Sequence, residues 1–361
     1  MAAQKRSSYA LILAGGSGTR FWPMSRDHLP KQLLRLFGSQ TLLEATVDRV
    51  SDLLPRENIL ILTNQLQVPE IMKILPDFPE ENIIAEPERR DTAPAIALGI
   101  GLVAARDPEA TMMVLPSDHL IQNEDSYRQT MQAALAMAGN SELLLTIGIR
   151  PTWPCPSYGY LERGEPLTDL PGDADNLSAN RVRRFTEKPD PETARHFLET
   201  GNFAWNAGMF IWSISSVRKE LEIHCPELAS FVTGCANSND VMTKVANDFA
   251  DLPKLSIDYA LMERSSQVAT IEATFDWDDV GSWPSAAKYL DADSAGNHSN
   301  CALTQMSSTG NIAFSQGKKH IALLGVDDLI IVETDDAILV TSKNKADDIK
   351  KLVADLPKEL R

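Results

Sequence analysis

The chain has 361 residues, an apolar fraction of 43% and a formal charge of −16. That length suits one large domain, or a large and a small one, with a packed core rather than wholesale disorder. So negative a surface repels nucleic acid and anionic lipid at long range, so any anionic ligand must be met by local cations or a metal ion.

The first half alternates strand and helix patterns. Tyr9 to Leu13 reads as a buried strand. Thr41-x-x-Glu44 has the form of a capping box, with Leu43, Val47, Val50 and Leu54 on one helical face. Further strands are expected at Ile59 to Leu62, Ile83-Ile84, Met112 to Leu115 and Leu143 to Ile147, with a helix from about Ala93 to Ala105. This alternation implies βαβ units and a parallel sheet, whose ligands sit beyond the carboxyl ends of the strands. The loops after Leu13, Glu86 and Leu115 are therefore the places to look. From about Pro151 to Trp212, Pro and Gly are frequent, and the segment reads as an insertion covering the sheet. Helical patterns resume at Val217 to Leu221 and Ile257 to Glu263. Short β segments follow from Cys301, and a closing helix is expected near Ala346 to Leu356.

The first strand runs straight into Ala14-Gly15-Gly16-Ser17-Gly18-Thr19-Arg20, followed by Pro30-Lys31. Glycines let a phosphate lie against backbone N–H groups, and Arg20 and Lys31 bring the charge that the composition lacks. A Walker A loop is excluded, because Gly15 is followed five places later by Arg20 and Gly16 by Phe21. The dinucleotide fingerprint G-x-G-x-x-G fails as well, since Phe21 stands where its third glycine belongs. Asp118 follows the strand ending in Val114-Leu115, and Asp279 follows an apolar stretch from Ala269 to Phe275. Carboxylates at two strand ends are suitable ligands for Mg²⁺ beside a reacting phosphate, although an isolated Asp more often caps a helix or closes a turn. The four cysteines, Cys155, Cys225, Cys235 and Cys301, have no zinc-site spacing and read as free thiols of a reducing compartment. The apolar run Tyr9 to Ala14 is too short for a signal segment, and a soluble, cytoplasmic protein is expected.

The stretch LAGGSGTRFWPMSRDHLPKQLL resembles the pyrophosphorylase motif of sugar-phosphate nucleotidyltransferases, and of the mannose-1-phosphate guanylyltransferases in particular. The resemblance implies an α/β fold: a Rossmann-like nucleotidyltransferase domain with a mixed, mainly parallel sheet over residues 1–295. A small β-rich unit, left-handed β-helix-like, would follow over residues 296–361. It implies transfer of GMP from GTP to mannose 1-phosphate, with Mg²⁺ or Mn²⁺ as cofactor and a homodimer as a compatible assembly. Ala14, Gly15, Gly16, Ser17, Gly18, Thr19 and Arg20 would hold the triphosphate, and Lys31 would be the catalytic lysine. LPSDH and W-x-D-x-G match the family's metal motifs at Asp118 and Asp279, whereas Asp276 and Asp278 fall off the acidic position. The run Glu86-Pro87-Glu88-Arg89-Arg90-Asp91-Thr92-Ala93 matches the guanine-pocket segment, so Glu86, Asp91, Thr92 and Ala93 would face the base. F-x-E-K-P, N-A-G-M-F and Y-G-Y match the sugar motifs, which assigns Glu187, Lys188, Asn206 and Gly159 to the sugar phosphate. Another nucleotide or hexose 1-phosphate, an inactive nucleotide-sugar-binding subunit and a dehydrogenase are the alternatives. Longer family members append a sugar-isomerase domain, and transferase activity alone is expected of this length.

Overall fold

A computed structural model describes residues 6–168, 177–317 and 319–361. The first half is built from β1 (Ser8–Leu13), α1 (Leu42–Ser51), β2 (Ile59–Asn64), α2 (Val68–Ile74), β3 (Ile83–Glu86), α3 (Thr92–Arg106), β4 (Thr111–Pro116), α4 (Glu124–Gly139) and β5 (Leu144–Ile149). There follow β6 (Tyr160–Pro166), β7 (Ala179–Thr186), α5 (Pro191–Thr200), β8 (Phe203–Ser213), α6 (Ile214–His224), α7 (Pro226–Ala236), α8 (Val241–Asp248) and β9 (Val268–Glu272). These strands form one nine-stranded sheet in the order β3-β2-β1-β4-β8-β5-β9-β7-β6. All but β7 and β8 point the same way, so the sheet is mixed and mainly parallel.

Both faces of the sheet are covered, which is why β1 reads as a continuous apolar run. Tyr9 and Leu11 point into one core with α3, α6 and α7. Ala10 and Ile12 point into the other with α1 and α4. The capping box at the start of α1 forms in full, Thr41 Oγ1 accepting from Glu44 N–H and Glu44 from Thr41 N–H. Helix α3 lies between sheet and helices. A Cβ on Gly99 would come within 2.4 Å of Leu11, and one on Gly101 within 2.7 Å of Cys235 in α7. Close packing on both sides explains two glycines in a helix interior that propensity alone would not favour.

The segment from Pro151 to Trp212 is not a cover. It supplies β6, β7 and β8 to the sheet itself, and β8 lies inside it, antiparallel to both β4 and β5. Nothing local in the sequence encodes that pairing, because antiparallel partners distant along the chain are matched only in three dimensions.

After the short helix α9 (Trp283–Ala287), the chain forms β10 (Asp291–Ala292), β11 (His298–Ser299), β12 (Leu303–Met306), β13 (Ile312–Ser315), β14 (Ile321–Leu324), β15 (Leu329–Glu333), β16 (Ile338–Ser342) and α10 (Ile349–Ala354). β11, β13 and β15 pair in parallel, as do β12 and β14. The core of this region is shared with the loop after β1: Phe21, Trp22, Leu34 and Leu36 pack with Trp283, Phe314, Ile330 and Val353. Trp283 is fully buried, with the rings of Phe21 and Phe314 at 5.1 and 5.2 Å. Trp283→Ala is expected to cost about 3–5 kcal/mol, measured as a shift in urea midpoint at constant slope. A loss below about 1 kcal/mol would mean that this shared core does not hold the two regions together.

Candidate active site

The loop after β1 is held by its own downstream residues. Ala14 N–H donates to Leu62 O at 2.7 Å. Its carbonyl accepts from Gln32 Nε2 at 2.8 Å and from Thr63 Oγ1 at 3.1 Å. Gly18 is left-handed at φ 58°, and a Cβ there would lie 2.4 Å from Lys31 N, so only glycine allows Lys31 to sit against the loop. Lys31 is buried. Its ammonium lies 2.7 Å from Asp118 Oδ2 and donates to the carbonyls of Asp279 at 2.5 Å and Val280 at 3.2 Å.

Asp118 follows β4 and Asp279 follows β9. A pair of backbone hydrogen bonds zips their loops together, Leu120 N–H to Asp278 O at 2.9 Å and Asp278 N–H to Leu120 O at 3.1 Å. That bridge is what makes two acids distant in sequence neighbours of one lysine. Burial pushes the Asp118 carboxyl upward, but the Lys31 ammonium outweighs it and holds the group below its ordinary range. Asp279 Oδ1 accepts from the Tyr158 hydroxyl at 2.6 Å. The neighbouring acids are otherwise occupied. Asp276 accepts from the N–H groups of Gln122 and Asn123, and Asp278 from Val280 N–H, Ser285 and Tyr289. Burial drives the His119 imidazole down to about 4, so it is neutral, and its Nδ1 accepts from Trp277 Nε1 at 3.1 Å.

Asp118 and Asp279 offer hard oxygen donors, the chemistry Mg²⁺ prefers. A Cβ on Gly281 would lie 2.9 Å from Asp279 Oδ2, so glycine leaves that side of the carboxylate open. Among the described residues no group of three or more His, Cys, Asp or Glu could hold a metal. Two carboxylates without a full protein cage fit an ion that shares its remaining positions with phosphate and water.

Two adjoining cavities meet at His119 and Asp279. The smaller, about 350 Å³, is lined by Ser17, Gly18, Thr19, Arg20, Lys31 and Asp118. The larger, about 760 Å³, has Gly15, Gly16, Glu86, Asp91 and Thr92 in its wall, and also Gly159, Glu187, Asn206 and Asp258. Three residues expected at the site line neither cavity. Ala14 and Ala93 are buried, and the Ala93 N–H is spent on Leu255 O at 3.0 Å. Lys188 has an exposed side chain, and its ammonium is paired with Glu187 of the larger cavity's wall. Asp91 caps α3, its Oδ1 accepting from Thr92 N–H at 2.7 Å.

Several site features carry no sequence signal. Asn206 is oriented by its neighbours: its carbonyl accepts from Thr146 Oγ1 at 2.7 Å and Gly208 N–H at 3.1 Å. Its NH₂ is thereby turned toward Asp258 Oδ1, 3.3 Å away. Asp258 opens a π-helical turn (Asp258–Met262), a distortion invisible in a run that reads as plain helix. Burial, reinforced by the charge of Glu187, raises the Asp258 carboxyl to about 7. Burial likewise lifts Glu86 to about 7, against the opposing Arg89. An acid raised in the folded state binds more protons there than when unfolded, so it lowers stability as pH climbs from about 4 to 7. Asp258→Asn is therefore expected to be more stable than the parent at pH 8 and to lose that advantage near pH 4, read from chemical denaturation at both pH values. Equal gains at the two pH values would contradict a raised carboxyl.

Known proteins resemble this chain in sequence and in fold. The nucleotidyl transferase family model matches residues 9–295, and a MannoseP isomerase/GMP-like beta-helix domain matches residues 304–356. A mannose-1-phosphate guanylyltransferase of Sinorhizobium fredii is 36% identical over 95% of this chain and 66% of its own length. One from Klebsiella pneumoniae is 35% identical over 97% of this chain and 74% of its own. The chain thus spans about two thirds to three quarters of these relatives. A crystal structure from Thermus thermophilus, described as a mannose-1-phosphate geranyltransferase, superposes with a TM-score of 0.84 at 29% identity, covering 96% of this chain and 98% of that one. No described helix is long and apolar enough to cross a membrane. The chain belongs to the nucleotidyl transferase family, among the mannose-1-phosphate guanylyltransferases.

Proposed function

We infer that the protein transfers GMP from GTP to α-D-mannose 1-phosphate, giving GDP-mannose and pyrophosphate, as a cytoplasmic enzyme. The observation that carries this reading is the Lys31 ammonium, held between Asp118 and the Asp279 carbonyl where the two cavities meet. An oxygen of the acceptor phosphate attacks the α-phosphorus. The bond from that phosphorus to the β-bridging oxygen breaks, and pyrophosphate leaves with the electron pair. The acceptor is already ionised near neutral pH, so no general base is required. The work is alignment and charge neutralisation. Lys31 meets the α-phosphate, and Arg20 with the N–H groups of residues 15–19 meets the rest of the triphosphate. Asp118 and Asp279 would hold a divalent ion, Mg²⁺ or Mn²⁺, which supplies positive charge between the two polyanions when bound.

The guanine edge suits the end of the larger cavity near Glu86 and Asp91. Carboxylates there accept from N1–H and the 2-amino group, which adenine lacks. Glu187, Asn206 and the backbone at Gly159 suit the hydroxyls of the sugar. Lys188, paired with Glu187 of the cavity wall, has further N–H donors for the acceptor phosphate. Pyrophosphate release measured across GTP, ATP, UTP and dTTP, each with mannose 1-phosphate and glucose 1-phosphate, tests the reading. GTP with mannose 1-phosphate should be fastest. A faster rate with another nucleotide or sugar would reassign the substrates.

A further inference from the structure

The smaller cavity has one wall from the far end of the chain. Residues Thr19–Phe21 form a short turn in the phosphate loop, and Phe21 packs in one core with Ile349 and Val353 of α10. Trp22 Nε1 donates to Leu360 O at 2.8 Å, fixing the C-terminal segment over the loop. Lys350 thereby lines the same cavity as Ser17, Gly18, Lys31, Asp118 and Asp279. Its neighbours Lys345 and Lys351 are both paired with Asp348, at 3.1 and 2.7 Å. Lys350 pairs with no carboxylate among the described residues, in a chain whose net charge is −16.

Arg20 supplies a second, independent sign. Its Nε lies 3.2 Å from Asp347 Oδ1, one turn before Lys350. The N–H is nonetheless buried with no aligned acceptor. The two groups attract by charge without a hydrogen bond, so this donor is left unmatched, as a donor awaiting an oxyanion would be.

Resting on the reading above, we propose that Lys350 binds the β- and γ-phosphates of the nucleotide, the part that leaves as pyrophosphate, and that Asp347 holds Arg20 until those phosphates replace it. In-line displacement sends the leaving group away from the acceptor. Gly159, Glu187 and Asn206 sit in the larger cavity, and Lys350 in the smaller one across Asp279. The C-terminal region then completes the nucleotide site.

The test uses the full chain and compares Lys350→Ala and Lys350→Arg with the parent, by kinetics in both the forward and the reverse direction and by calorimetric titration with inorganic pyrophosphate and Mg²⁺. Losing one charge-assisted contact should raise KM for pyrophosphate and for GTP about tenfold. KM for mannose 1-phosphate should stay within about twofold. Lys350→Arg should recover most of the loss. A Lys350→Ala protein that binds pyrophosphate as tightly as the parent overturns the proposal, as does an equal rise in KM for all substrates. If the parent fails to transfer GMP while pyrophosphate binding still depends on Lys350, the substrate reading falls and the phosphate site stands.

Discussion

Replacing Lys31 with alanine is expected to lower turnover by about 10²–10³ while the protein stays folded, because a preorganised cation beside developing charge has that order of effect. The lysine is buried and has three oxygen partners, so the substitution is not silent for stability. It strands the Asp118 carboxylate, but that carboxylate faces an open cavity and can take water, which limits the loss to about 1–3 kcal/mol. Steady-state rates with thermal unfolding on the same preparation separate the two effects. Since Lys31 sits where acceptor and donor phosphates would meet, the fall should appear in kcat and in kcat/KM alike. Undiminished turnover with GTP would remove Lys31 from the chemistry.

Asp279→Asn is the second large effect. The amide keeps the shape and still accepts from the Tyr158 hydroxyl, but it removes the charge that a divalent ion requires. Turnover should fall by at least about 100-fold, and more Mn²⁺ should be needed to saturate what remains. Mn²⁺ binding followed by electron paramagnetic resonance gives a readout independent of activity. The Lys31 contact uses the Asp279 backbone carbonyl, so the substitution leaves it in place. Unaltered Mn²⁺ affinity would exclude the Asp279 carboxylate as a ligand. Asp276→Asn should weaken the loop near Gln122 without a comparable effect on metal, because its oxygens are committed to backbone N–H groups.

The glycine-rich loop after β1 and the placement of two acids after strands are legible in the sequence because such patterns are local, whereas a metal-binding role for Asp118 and Asp279 is suggested only by the motif resemblance. Their convergence is legible only as a possibility of topology, and the Leu120–Asp278 bridge is what realises it. The strands of the first half stand out because burial on both faces writes itself as apolar runs. β8 reads as part of a cover because its partners, β4 and β5, are set by pairing across the sheet. Asp258 and Lys350 escape a sequence reading for a related reason. A carboxylate in a distorted helical turn and a lysine on a terminal helix look like solvated residues until folding brings them to a cavity wall. Ala14 and Ala93 show the converse. They lie in matching motifs, yet both are buried as packing residues beside the site.

The most direct measurement is a crystal structure with a non-hydrolysable GTP analogue and mannose 1-phosphate bound together. The α-phosphate should lie within about 4 Å of Lys31 Nζ, with the β- and γ-phosphates against residues 15–20 and the mannose beside Glu187 and Asn206. A triphosphate elsewhere in the larger cavity, with Lys31 still closed on Asp118 and out of its reach, would contradict the site as described.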